Sequence, residues 1–267
     1  GAVAKPKKVV MIAGRQSHGP LSHEHKAGIM LLAKCLQENA GDLVAPTVVL
    51  NGWPKDNNVF RDVAAVVIYS DGGGRHPALG GNNLEMLGRM MEEGVGFLTI
   101  HYAVEPTTNK GNKEFIAWQG GCFETHWSVN PHWVANFKKL PKHPITRGVK
   151  PFKANDEWYF HMRFAPGMKG VTPILSDVAP KETMRRGNGA HSGNEHVRKS
   201  VAAGDLQHVA WAFERPNGGR GFGFTGGHNH LNWGNDDFRK TVLNAIVWVS
   251  KAEVPANGVP SKVSEQD

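Results

Sequence analysis

Cysteine and long apolar runs are scarce in this sequence, and their scarcity excludes several classes of protein. Only Cys35 and Cys122 are present among 267 residues, and no Cys-x-x-Cys pair occurs. Neither a disulfide scaffold nor a thiolate zinc site is therefore predicted. No run of eighteen apolar residues exists, which excludes a membrane-spanning helix. The net charge is +7, but Lys and Arg are scattered and no nucleic-acid-binding module accompanies them.

The motifs of several enzyme classes are also missing. The Gly-x-Ser-x-Gly elbow of serine hydrolases and the His-Glu-x-x-His helix of zinc proteases do not occur. The glycine cluster 72–74 lacks the Gly-x-x-x-x-Gly-Lys pattern of phosphate-binding loops. We therefore expect no nucleotide cofactor.

Short apolar runs and helical patterns alternate through the first hundred residues. Runs at 8–13, 44–50, 64–69 and 96–100 predict strands, and apolar spacings of three and four residues predict helices after the first and third of them. This alternation predicts an α/β fold built on a doubly wound, mostly parallel sheet of the flavodoxin-like type.

The second half of the chain has a different pattern. Short extended segments at 130–210, broken by Pro and Gly, predict an antiparallel extension that leads to a hairpin and a last helix. We interpret residues 184–200 as a surface excursion rather than a lid, and residues 251–267 as a disordered tail. The whole chain is predicted to form one domain with its core at 6–250.

Histidine is abundant, with 14 among 267 residues, and its placement is informative. His18 and His23 follow the first predicted strand, His101 follows the fourth, and His228 and His230 follow the predicted hairpin. The carboxyl ends of parallel strands meet at one edge of a sheet, where open α/β proteins place their chemistry. We therefore expect these imidazoles to converge.

Converging imidazoles are suited to two roles: binding a divalent ion such as zinc, or acting as acid and base near neutral pH. The spacing does not choose between them, because His23-Glu24-His25 has one intervening residue and would chelate from a loop but not from a regular helix. Carboxylates such as Asp71 and Glu157 lie near the predicted strand ends and would assist either role.

Several short motifs, in this order, resemble the trehalose-utilisation or ThuA-like family. They are His23-Glu24, the strand end from Gly96 to His101, Gly120-Gly-Cys-Phe-Glu-Thr-His126, Asp156-Glu-Trp-Tyr159 and Gly226-Gly-His228. The family is similar in fold to class I glutamine amidotransferases but lacks their cysteine nucleophile. Here His101 stands at the strand-to-helix turn where that cysteine is expected, so a covalent glutaminase mechanism is not expected.

The resemblance implies a role in carbohydrate metabolism, on a sugar or on a glycoside oxidised at carbon 3 by a partner dehydrogenase. Proton transfer with elimination, isomerisation and hydrolysis are the reactions expected of such a keto-sugar. A non-catalytic sugar-binding or assembly protein that retains the fold is the alternative. The first loop resembles that of exported bacterial relatives, so a periplasmic location after removal of a signal is expected, with the cytoplasm as the alternative.

Particular side chains are expected to carry these roles. His101, Glu157 and His126 are the predicted catalytic groups, and His23, His101 and His228 are the predicted ligands of a divalent metal, zinc first among the candidates. Contacts with a small-molecule sugar are expected from further residues on the same edge and from tryptophans able to stack on sugar faces; these are His18, Asp71, Trp127, Trp158 and His230. Neither nucleic acid nor a membrane is an expected partner.

Overall fold

The computed structural model describes residues 3–267, in which strands and helices alternate. The strands are β1 (Lys7–Ala13), β2 (Val44–Val49), β3 (Val63–Tyr69), β4 (Gly96–Ile100), β5 (Gly121–Cys122), β6 (Trp133–Phe137), β7 (Phe152–Asp156), β8 (Arg163–Phe164), β9 (Val171–Val178), β10 (Leu206–Glu214) and β11 (Arg220–Phe224). The helices are α1 (His25–Ala40), α2 (Asn83–Glu92), α3 (Asn112–Gln119), α4 (Glu195–Ala202) and α5 (Asp236–Val249). None of the helices in residues 3–267 combines the length and the apolar character needed to cross a membrane.

A seven-stranded sheet in the order β2-β1-β3-β4-β11-β10-β9 forms the centre of the fold. The pairings from β2 through β11 are parallel, and β10 and β9 continue the sheet in antiparallel register. The flavodoxin-like, mostly parallel sheet with an antiparallel extension is therefore confirmed. Because β1, β3, β4 and β11 run the same way, the loops that follow them all emerge at one edge.

Helices cover both faces of the sheet, as doubly wound folds require. Val9, Met11 and Ala13 of β1 belong to an apolar cluster with residues of α1 and α5. Val10 and Ile12 of the same strand belong to a second cluster, with residues of α2 and α3. This alternation follows from the two-residue period of a strand, and it explains why β1 and β3 are nearly continuous apolar runs.

Two expectations for the second half of the chain are wrong. The region 184–200 is not a loose excursion, because it contains the first six residues of α4 and a loop held by Arg198. The Arg198 guanidinium donates to Asn188 Oδ1 and to the Arg186 carbonyl at 2.8 Å each. The segment after α5 is not disordered either. Val259 is fully buried there, and its N–H donates to Asn244 Oδ1 at 2.9 Å. Both segments are mostly polar in sequence, and the few apolar residues that hold them to the core are too short a pattern to predict order.

Candidate active site

Four side chains from four separate loops meet at the carboxyl edge of the parallel strands. His23 comes from the loop after β1, His101 follows β4, His228 follows β11, and Glu157 follows β7 of the small β6–β7 pair. One ligand atom from each lies within 4.8 Å of the others. The predicted convergence of distant imidazoles around a carboxylate is thus present in the structure.

His101 occupies a sharp turn between β4 and a short 3-10 helix. Its φ is +58°, in the left-handed region that residues other than Gly seldom adopt, and the side chain is fully buried. Nδ1–H donates to the Thr225 carbonyl at 2.7 Å. The other ring nitrogen, Nε2, faces the site and lies 2.9 Å from the Tyr159 hydroxyl. Backbone strain of this kind concentrates at functional sites.

His23 has the same two features. Its φ is +49°, and only 3% of the residue is exposed. Nδ1–H donates to Asp71 Oδ1 at 3.1 Å, which leaves Nε2 as the ring nitrogen that faces His228 Nδ1 at 2.9 Å. Burial lowers the pKa of His23 to about 4, although the hydrogen bond to Asp71 opposes the shift. The imidazole is therefore neutral at pH 7 and can offer a lone pair.

Glu157 lies among these rings. Its Oε1 is 3.3 Å from His101 Nε2 and 3.5 Å from His228 Nδ1, and its Oε2 is 3.4 Å from the exposed His132 Nε2. Burial alone would raise the pKa of Glu157, but hydrogen bonds with His101 and His228 outweigh it and hold the pKa well below its usual range. The same contact with Glu157 raises the pKa of His228 against the effect of burial. Glu157 is therefore ionised at neutral pH.

Nitrogen and carboxylate atoms that could each offer a lone pair to a cation lie close together at this point. His23 Nε2 lies 2.9 Å from His228 Nδ1, and His101 Nε2 and His228 Nδ1 lie 3.3 Å and 3.5 Å from Glu157 Oε1. Binding of a metal displaces the protons that such nitrogens carry. The outer nitrogens of His23 and His101 are fixed by a carboxylate and a carbonyl, as they are in ligands of bound metals. The three imidazoles therefore fit a divalent ion that prefers nitrogen, such as zinc.

Asp156 holds the backbone that carries His228. It is fully buried, and its carboxylate accepts the N–H groups of Gly227 at 2.9 Å and His228 at 3.0 Å. It also accepts the side-chain amide of Asn232 at 2.9 Å. One carboxylate thus ties the end of β7, where Glu157 begins, to the loop after β11.

Replacing Asp156 with alanine is expected to destabilise the protein by about 3–5 kcal/mol, since each buried donor left without an acceptor costs about 1–3 kcal/mol. Urea unfolding measures the change. The exposed Asp42 is the control, and its replacement with alanine should change stability by less than about 0.5 kcal/mol. Equal stability of the two variants would contradict the bracing role of Asp156.

A cavity of about 230 Å³ opens beside the four side chains. Its lining includes a second carboxylate and a further imidazole, those of Glu105 and His191. It also includes His18, Tyr102, Phe123 and Asn130. It is smaller than the roughly 300–1,000 Å³ of pockets for drug-sized ligands, so it suits a small polar molecule or one ring of a larger one.

Three residues of the site were not predicted as site residues from the sequence; these are His132, Tyr159 and His191. Only Tyr159 carried a sequence signal, because it lies within the motif Asp156-Glu-Trp-Tyr159.

Of the residues predicted to contact a substrate, His18 lines this cavity and Asp71 does not. The His18 ring stacks on His23 with centroids 3.6 Å apart. Asp71 is behind His23 and positions it, as described above. Burial alone would raise the pKa of Asp71, but hydrogen bonds from His23 and Ser17 outweigh it and lower the pKa to about 2.

Other predicted residues are not brought to this cavity. His126 is exposed outside it, which corrects its assignment as a catalytic group. Trp158 is fully buried against Phe137 and Phe224, so it has no free face for a sugar. Trp127 packs under the Arg163 guanidinium, 3.6 Å from the ring centroid.

His230 also lies outside the lining of the cavity. Its Nε2 donates to an Asp267 oxygen at 3.2 Å, so the ring faces the C-terminal segment. His230 is two positions after His228, and Trp158 directly follows Glu157. Their side chains nevertheless point away from the cavity, and closeness in the sequence does not reveal this.

The fold and the site define an α/β protein with a histidine-rich polar site at the carboxyl edge of a flavodoxin-like sheet. The sequence profile of the ThuA family, described as trehalose utilisation, matches residues 9–249, and the chain belongs to this family. It is therefore a protein related to trehalose utilisation. No curated protein matches the chain.

Two solved structures share the fold. One is described as a ThuA-like protein from Bacteroides uniformis; it is 16% identical, with 93% of each chain covered and a TM-score of 0.60. The other is the N-terminal domain of mmIFT52, which is 10% identical, with 91% of this chain and 97% of that chain covered and a TM-score of 0.50. At such low identity these likenesses concern the fold alone.

Proposed function

We propose that the protein is a metal-assisted enzyme of carbohydrate metabolism that acts on a 3-keto-glycoside. The observation that carries this proposal is the convergence of the ring nitrogens of His23, His101 and His228 with the carboxylate of Glu157 beside a polar cavity. Membership of the ThuA family, described as trehalose utilisation, supports a carbohydrate as the substrate. A partner sugar dehydrogenase would form the ketone.

His23, His101 and His228 would hold the ion. A divalent ion there would polarise the ketone oxygen and so acidify the hydrogen on the neighbouring carbon. Glu157 would accept that proton, because it is ionised and lines the cavity. Removal of the proton from carbon 2 is the shared first step of elimination and isomerisation.

Aromatic rings on the cavity wall are suited to contact a sugar face. Tyr102 and Phe123 line the cavity, where Trp127 and Trp158 do not. The Tyr159 ring stacks on His101 with centroids 4.5 Å apart, which fixes its hydroxyl at the site. Sugar contact is thus assigned to tyrosine and phenylalanine rather than to tryptophan.

Incubation of the protein with methyl 3-keto-glucoside in deuterium oxide tests the proposal. We expect deuterium to enter carbon 2 and methanol to be released, as followed by proton NMR. Treatment with a chelator should abolish both, and zinc should restore them. Binding of the glycoside with neither exchange nor release, in zinc-saturated protein, would contradict the proposal and favour a non-catalytic sugar-binding protein.

A further inference from the structure

Glu105 and His191 form a second ionisable pair in the same cavity as Glu157. Glu105 is only 2% exposed, and His191 Nε2–H donates to its Oε1 at 2.7 Å. Because Nε2 is occupied by Glu105, Nδ1 is the free nitrogen of the ring, and none of the residues 3–267 forms a hydrogen bond with it. A carboxylate that fixes one imidazole nitrogen and leaves the other open is the arrangement of a positioned acid or base.

The ring of His191 is held in place by its surroundings. Phe123 stacks on it with centroids 5.2 Å apart and an interplanar angle of 27°. The carbonyl of His191 accepts the Asn130 N–H at 2.9 Å, and Arg198 secures the same loop from α4. The ring is therefore oriented before any ligand arrives, which a surface histidine on a mobile loop would not be.

We propose that His191 is the general acid that protonates the departing oxygen of the glycoside, with Glu105 as its positioning residue. This inference rests on the proposed function. Glu157 takes the proton from carbon 2, and the electron pair of that C–H bond forms a double bond between carbons 1 and 2. The bond from carbon 1 to the glycosidic oxygen breaks, and the proton of His191 Nδ1 passes to that oxygen. One proton is gained and one is given, so no oxidant or further reactant is required.

Electrostatics agree with this role. The hydrogen bond with Glu105 raises the pKa of His191, and burial opposes the rise. The other charged groups that act on the ring are Glu157, which also raises its pKa, and Arg186, which lowers it. The protonated form needed for a general acid therefore persists to higher pH than in a free histidine.

A comparison of leaving groups tests the inference through His191→Gln. Methanol is a poor leaving group and needs the proton, so its release from methyl 3-keto-glucoside should fall by about 10²–10⁴-fold. 4-Nitrophenolate leaves without a proton, so its release from the matching glycoside should fall by less than about tenfold. Deuterium exchange at carbon 2 should persist, because it depends on Glu157.

The outcomes separate the two proposals. If both glycosides lose release equally in His191→Gln, or if neither does, His191 is not the acid while the proposed reaction stands. If the unaltered protein shows neither exchange nor release with either glycoside, the proposed reaction fails, and the assignment of His191 fails with it.

Glu105→Gln gives a second readout. A general acid loses activity as pH rises through its pKa, and removal of the carboxylate lowers that pKa, so the alkaline limb for methanol release should move to lower pH. Glu124→Gln is the matched control, since Glu124 is paired with Arg163 at 2.8 Å outside the cavity. An alkaline limb that stays in place in Glu105→Gln would overturn the positioning role.

Discussion

Replacing Glu157 with glutamine is expected to lower kcat/KM for a 3-keto-glycoside by about 10²–10⁴-fold, which is the usual contribution of a positioned base. Glutamine has the same shape, but its amide cannot accept the proton from carbon 2. Deuterium exchange at carbon 2 should stop for the same reason. The three imidazoles remain in place, so bound zinc should be retained, as elemental analysis of the purified variant would show.

The two readouts of Glu157→Gln distinguish two roles. Loss of exchange with zinc retained identifies Glu157 as the base, whereas loss of zinc together with exchange identifies it as a ligand. Glu124→Gln again serves as the control and should leave both zinc and exchange unchanged. Exchange at the wild-type rate in a folded Glu157→Gln protein would remove Glu157 from the mechanism.

Replacing His101 with alanine is expected to weaken zinc binding by at least about 100-fold and to abolish turnover. Loss of a residue that only hydrogen-bonds to a metal ligand typically weakens metal binding by about 10–100-fold. His101 is itself one of the candidate ligands, so its loss should have at least this effect. Calorimetric titration with zinc measures the affinity. The protein should remain folded, because the sheet does not depend on this side chain for its apolar packing.

Backbone strain at position 101 calls for a second variant. The φ of +58° is tolerated by asparagine better than by alanine, so His101→Asn should keep more of the stability while losing zinc to the same extent. His208→Ala is the control, because His208 bonds to Ser176 at 2.7 Å away from the site. Unchanged zinc affinity in both His101 variants would exclude His101 as a ligand.

The sequence was sufficient for the fold because its signals there are local and redundant. Each of β1, β3 and β4 is an apolar run bounded by polar or glycine residues, and α1 and α5 repeat apolar positions at helical spacing. The rule that ligands gather at the carboxyl ends of parallel strands then located His23, His101 and His228. Glu157 followed from a family motif.

The parts that could not be predicted depend on contacts between distant segments. Nothing near His191 in the sequence indicates that α4 and Arg198 bring its loop back to Glu105, 86 positions earlier. His132 likewise reaches Glu157 only because β6 pairs with β7. Conversely, Trp158 adjoins Glu157 in the chain but points into the core, since successive side chains in extended backbone face opposite ways.

Anomalous diffraction at the zinc absorption edge, from crystals of zinc-saturated protein, tests the shared metal site most directly. We predict one strong peak about 2.0–2.1 Å from a ring nitrogen of each of His23, His101 and His228. A zinc-saturated crystal with no peak among these rings, or with its zinc bound only to other histidines, would contradict a metal site shared by His23, His101 and His228.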